Sequence, residues 1–255
     1  MPHRFLQSLL VPSRLAVASL ALGAVALLGC SDSTGSSGGG GGSTTWSGTI
    51  ADAAGSGALN LVFDAAVKAP PFSSSGAALA SQPPINGTGT IKRSGVADAI
   101  LSVVVNGTTV TFTGGGYDGT GTIGSGKSHG TLTGPNGAGA FNAVPATTAN
   151  PATSFCGTFT GTTGVAQGDA GQWTVTIAGT AVSGTAFSNS GDVIPLDGTA
   201  SGKNVTVGAT SVDGSATATG TINTAGDQIS GTYTLKDPSG TAVGGGTWGG
   251  VTCGS

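Results

Sequence analysis

From Trp46 onward, short runs of the chain alternate apolar and polar residues with a period of two. In Trp173-Thr-Val-Thr-Ile177 the apolar side chains share one face and the threonines the other. Val205-Thr-Val207 repeats the pattern, and Ile229, Tyr233 and Leu235 continue it. Each run is bounded by Gly, Asn or Asp, the residues that supply turns. One apolar face and one Thr/Ser face describe antiparallel strands wrapped around a core.

The pattern is written twice. Trp46-Ser-Gly-Thr-Ile50 matches Phe155-Cys-Gly-Thr-Phe159, and Leu59-Asn-Leu-Val-Phe63 resembles Trp173-Thr-Val-Thr-Ile177. Val110-Thr-Phe112 lies over Val205-Thr-Val207, each after a turn (Asn106-Gly107 and Ser201-Gly202). Gly121-Thr-Ile123 matches Gly220-Thr-Ile222, and Gly130-Thr-Leu-Thr133 matches Gly231-Thr-Tyr-Thr234. Gly139-Ala-Phe-Asn-Ala-Val144 matches Gly246-Thr-Trp-Gly-Gly-Val251, and the order never changes. About eight short strands per copy, joined by short turns, predict two tandem up-and-down antiparallel β-barrels, an all-β fold. The copies span 46–144 and 155–255, with a Pro/Ala/Thr linker at 145–154. Ala65 to Pro84, bracketed by Pro70-Pro71 and Pro83-Pro84, has no counterpart in the second copy and is expected to be a surface loop.

Composition narrows the function. All 11 acidic residues are Asp, and the 8 basic residues are scattered, so no nucleic-acid footprint is present. The 49 glycines disfavour helices, while Thr and Val suit pleated strands.

The first 45 residues are of another kind. Arg4 and Arg14 precede a 14-residue apolar segment, Leu15 to Leu28, too short to favour a membrane-spanning helix. The segment ends in Leu27-Leu28-Gly29-Cys30, which resembles the lipobox of bacterial lipoproteins. The resemblance implies a signal peptide (1–29), removal of that peptide, lipidation of Cys30 and attachment to a membrane. Ser31, rather than Asp, follows the cysteine, which in that family points to the outer membrane. Three acyl chains would hold such a protein stably, since each buried methylene contributes about 0.8 kcal/mol. Residues 31–45 then form a Gly/Ser/Thr tether, with an r.m.s. span of roughly 20 Å.

With Cys30 lipidated, Cys156 and Cys253 remain as an even pair in an oxidising compartment, and a disulfide is expected. They lie in the first and last strands of their copy, which are neighbours in a closed barrel. Two buried free thiols are the alternative. Alternation alone leaves open whether the bridge lies inside or outside the barrel.

Motifs that suggest chemistry fail on context. Gly121-Thr-Ile-Gly-Ser-Gly-Lys127-Ser128 satisfies the phosphate-loop pattern, but Gly130 to Pro135 cannot open the helix which that site requires. Ser128 and His129 are the pair on which an enzyme would depend, and both are expected in an exposed turn without a third, orienting group. No spacing of Asp suits calcium or a glycosidase pair, and no cofactor or metal is predicted. Trp46, Trp173 and Trp248 either fill cores or line a ligand pocket, and core filling is the simpler reading. The segment Gly157–Thr185 resembles the opening of streptavidin-type and lipocalin-like barrels. That resemblance implies the barrel and carries over no binding residue.

The sequence therefore predicts a lipid-anchored envelope protein acting as a non-enzymatic structural or interaction module, with an envelope protein as its partner. The alternative is a carrier for a small apolar ligand inside one barrel, with Phe72 and Leu79 of the 65–84 loop able to cap its mouth.

Overall fold

A computed structural model of the chain describes residues 43–64, 83–124, 126–189 and 192–253. The leader, Cys30, nearly all of the tether and residues 65–82 lie outside the described residues.

Sixteen strands follow one another in the described chain. The first eight are β1 (Thr44–Asp52), β2 (Gly55–Phe63), β3 (Ile85–Lys92), β4 (Ala99–Asn106), β5 (Thr109–Gly114), β6 (Tyr117–Gly124), β7 (Lys127–Gly134) and β8 (Gly137–Ala146). The second eight are β9 (Ala152–Gly164), β10 (Ala170–Ala178), β11 (Ala181–Ser188), β12 (Val193–Ser201), β13 (Asn204–Ser211), β14 (Gly214–Ile222), β15 (Gln228–Lys236) and β16 (Ala242–Thr252). Each set pairs in chain order, and its last strand pairs with its first, giving two closed antiparallel barrels. Strand β1 begins two residues before Trp46, while β8 and β9 trim the expected linker at both ends.

The alternation explains the closure. Trp46, Ile50, Leu59, Leu61 and Phe63 point into the first barrel and are buried. In the second, Phe155, Trp173, Val175, Val205 and Val207 do the same. The turns after β4 and β12 carry Gly107 and Gly202 at φ 60° and 59°, a left-handed conformation that glycine adopts without a Cβ penalty. Outside the second barrel, Thr199, Thr206, Thr219, Thr232, Thr247 and Thr160 stand opposite one another across successive strands. Such cross-strand threonine pairs contribute to sheet stability while keeping the surface polar.

The bridge between Cys156 and Cys253 forms, with Cα atoms 5.1 Å apart. Phe155 faces the core, so Cys156 faces outward, as does its cross-strand neighbour Val251. The disulfide therefore clasps the outside of the barrel.

Not every outward threonine meets solvent. Outward residues of β1 and β8 (Thr49, Asn142, Val144) are buried, as are those of β10 and β11 (Thr174, Thr176, Ser183, Thr185). These strands bring the barrels into contact. Asn142 Nδ2 donates to Thr49 Oγ1 at 2.7 Å within its own barrel and to Thr174 Oγ1 at 3.1 Å in the other. At the edge of this contact Lys127 pairs with Asp197 across the barrels at 3.1 Å.

Candidate functional site inside the second barrel

The register sets the two interiors side by side. Pairing with Leu59 places Ile91 in the first barrel where pairing with Trp173 places Ala186 in the second. By the same correspondence Phe112 becomes Val207, and Tyr117 becomes Ala216. Three large side chains thus give way to small ones around one end of the second barrel. Larger residues elsewhere in the wall (Trp173 for Leu59, Tyr233 for Leu132, Trp248 for Phe141) do not close the gap.

What remains is an almost wholly apolar cavity of about 90 Å3, bounded by Trp173, Trp248, Phe159, Tyr233, Val207 and Ala218 among others. The tryptophans meet edge to face, with centroids 4.9 Å apart, and Phe159 meets Tyr233 likewise at 6.0 Å. Each indole N–H is tied to the wall. Trp173 Nε1 donates to the Thr158 carbonyl at 3.0 Å, and Trp248 Nε1 lies 3.1 Å from the Thr219 carbonyl and 3.2 Å from that of Thr232. Anchoring the polar edges leaves hydrocarbon faces for the cavity. Phe159, Ala186, Leu196, Ala218 and Tyr233 are only half-buried although they point inward. The opposite end is solid, filled by Phe155, Ile177, Val182, Val205 and Ile229.

Besides the two anchored indole N–H groups, Tyr233 is the lining side chain that carries a polar atom. Burial, and secondly the charge of Asp169, pushes its phenol from 10.0 up to about 12. The hydroxyl is therefore a neutral group at physiological pH.

The corresponding end of the first barrel is shut. Asp52 points inward there, its carboxylate accepts the Ala54 N–H at 2.9 Å, and Arg93 Nη2 lies 2.6 Å from Asp52 Oδ2. The two side chains are 0% and 8% exposed. Beside this pair the ring of Tyr117 lies against Gly134, and Phe112 meets Phe141 edge to face at 5.0 Å. Gly161 occupies the place of Asp52 in the second barrel, so no equivalent ion pair forms there.

The other residues singled out from the sequence do not assemble. Ser128 and His129 stand in strand β7, not in an exposed turn: β6 ends at Gly124, so the turn is shorter than the sequence suggested. Adjacent on a strand, they point to opposite sides. Ser128 is buried inside and donates to the Thr122 carbonyl at 3.0 Å, whereas His129 Nε2 lies 3.4 Å from Thr122 Oγ1 outside. They form no nucleophile–base pair. The phosphate-loop pattern spans the β6–β7 hairpin, and its lysine is engaged with Asp197. Among the described residues no group of three metal-ligating side chains occurs. Trp46 belongs to the first core alone, while Trp173 and Trp248 serve both as core and as cavity wall.

No protein-family model and no curated protein matches the chain. Among solved structures it is similar to the crystal structure of a protein with unknown function from the DUF3598 family of Nostoc punctiforme, at 11% identity over 83% of this chain and 95% of that one. The TM-score is 0.25, and the likeness carries no argument about this chain.

Proposed function

We propose that the second barrel is a receptor for a small apolar group and that the first is a filled scaffold beside it. The observation that supports this most is the contrast at one end of the two barrels: an apolar cavity of about 90 Å3 in one, an ion pair and a tyrosine in the other. A dry cavity lined by hydrocarbon takes apolar guests, and one of roughly 150 Å3 accommodates benzene. The space here suits the end of a hydrocarbon chain or one small ring, and Phe159 and Tyr233 are only half-buried in its wall. The reading includes no catalytic step. It places the receptor at a membrane, tethered through lipidated Cys30 on the strength of Leu27-Leu28-Gly29-Cys30 and the apolar leader before it.

Benzene titration followed by tryptophan fluorescence tests the receptor. Saturable quenching is expected in the wild type and its loss in Val207→Phe, which restores the bulk of Phe112. A flat response in the wild type, or equal quenching in the variant, refutes the receptor reading. The anchor is tested by the mass of the protein extracted from its own envelope. A chain beginning at Cys30 with three acyl groups is expected, and an unmodified thiol there refutes the anchor.

A further inference from the structure

The wall of the second barrel is incomplete at the cavity. Strand β12 is held by β11 from Val193 to Thr199, and β13 is held by β14 along its whole length. Between β12 and β13, however, the ladder covers only Asp197–Ser201 with Asn204–Gly208. Val193 to Leu196 therefore face Ala209 to Ser211 with no cross-strand pairing. Pro195, which has no N–H to offer, sits in the middle of this stretch. At the matching place in the first barrel the β4–β5 ladder ends at the equivalent pair, Ser102 with Thr113, but the backbones beyond it stay close: Gly114 lies against the Ile100 carbonyl and Gly115 against Ala99.

The slit leads somewhere. Ile194, Gly208 and Ala216 line the apolar cavity on the inside and also an outer cleft of about 510 Å3 between the barrels. The cleft is bounded by Thr210, Ser211 and Thr217 of the second barrel and by His129 of the first. Its acid, Asp197, is neutralised by Lys127 at 3.1 Å. What it offers is hydroxyl groups, an imidazole and the unpaired edges of two strands, all of which form hydrogen bonds without requiring a charge. The four turns at this end of the barrel add Asp169, Asp192, Asp213 and Asp237 beside Lys236, a net negative field that disfavours a carboxylate. The Lys127 ammonium already occupies the cleft's acid and leaves none for an ammonium head.

On the basis of the receptor reading above, we propose that cavity, slit and cleft form one binding site for an amphiphile, which threads its short apolar end between β12 and β13 and leaves an uncharged, hydrogen-bonding head against His129, Thr210 and Thr217. The ligand class is a hydrocarbon chain bearing a polyhydroxyl head, and the first barrel completes the site by supplying His129.

The full chain is titrated with hexyl glucoside, hexanoate and hexylammonium, with tryptophan fluorescence as the readout and benzene as the control for the cavity itself. The glucoside is expected to bind about tenfold more tightly than either charged probe, because its head is held by more than one hydrogen bond. His129→Ala is expected to weaken the glucoside about fivefold and leave benzene unchanged. His129 lies outside the barrel that holds the cavity, so a merely structural role of that barrel's lining does not predict this split. Benzene binding combined with no preference among the heads, or with tighter binding of either charged probe, overturns the proposal and leaves the receptor reading standing. So does a glucoside affinity indifferent to His129→Ala. Failure of benzene itself overturns both.

Discussion

The two barrels share strand order, pairing and turn positions, yet the end that is hollow in one is occupied by a buried ion pair and a tyrosine in the other. The difference lies in interior exchanges that include Ile91 to Ala186, Phe112 to Val207 and Tyr117 to Ala216, and in the replacement of Asp52 by Gly161. None of them touches the ladder. Barrel closure rests on backbone pairing and inward alternation, so the filling can change while the architecture holds. The hollow barrel also carries the disulfide, joining its first and last strands. A cross-link offsets the packing that the cavity forgoes, just as small cores are commonly reinforced by bridges.

The largest test of this contrast is removal of the clasp. Replacing Cys156 and Cys253 by Ser releases a loop of 97 residues, and the loop-entropy relation sets the loss for the second barrel at up to about 4.7 kcal/mol. Denaturant unfolding is expected to show an earlier second-barrel transition and an unmoved first-barrel one. A single shifted transition would mean that the Asn142–Thr174 contact couples the barrels into one cooperative unit.

Next in size is the plug of the first barrel. Asp52→Ala leaves Arg93 buried without its partner, which costs on the order of 3–5 kcal/mol. The loss is expected in the first barrel only, and Asp52→Ala combined with Arg93→Met is expected to recover most of it. Equal sensitivity of both barrels contradicts the assignment of the plug.

Exchanging interiors is a smaller and sharper test. Phe112→Val is expected to cost the first barrel roughly 2–4 kcal/mol and to open a benzene site there. Val207→Phe fills existing space and is expected to change stability by less than about 1 kcal/mol while abolishing benzene binding. Calorimetry and fluorescence on the same two variants measure both effects.

The smallest effect is a pH dependence. The Tyr233 phenol is raised to about 12 in the folded chain, so the neutral form is favoured there. Its contribution is intact below about pH 10, where the unfolded phenol is also neutral, and is lost as pH rises towards 12. Because the ring is half-buried, solvent screening keeps the effect small. Tyr233→Phe is expected to flatten the decline in second-barrel stability over that window. An unchanged decline assigns it to other groups.

Much of this architecture is legible in the sequence, because period-two alternation and glycine-bounded turns are local signals. The duplication aligned Phe112 with Val207, and the disulfide followed once Cys156 and Cys253 fell in first and last strands. Which side the bridge occupies was not legible, because Cys253 follows the last residue of β16 and escapes its alternation. The cavity was legible only in part. Ala186 and Ala216 look like ordinary small strand residues until the register sets them against Ile91 and Tyr117. Asp52 and Arg93 are 41 positions apart, and no local pattern announces their pairing. Nor does any show that the β12–β13 ladder stops at Asp197 and Gly208, since strand propensity continues on both sides.

The most direct measurement is a crystal structure of the full chain under xenon pressure. One xenon is predicted between Trp173, Trp248, Val207 and Tyr233, with the first barrel empty. Xenon absent from the second barrel, or equally present in the first, would contradict the division into receptor and scaffold.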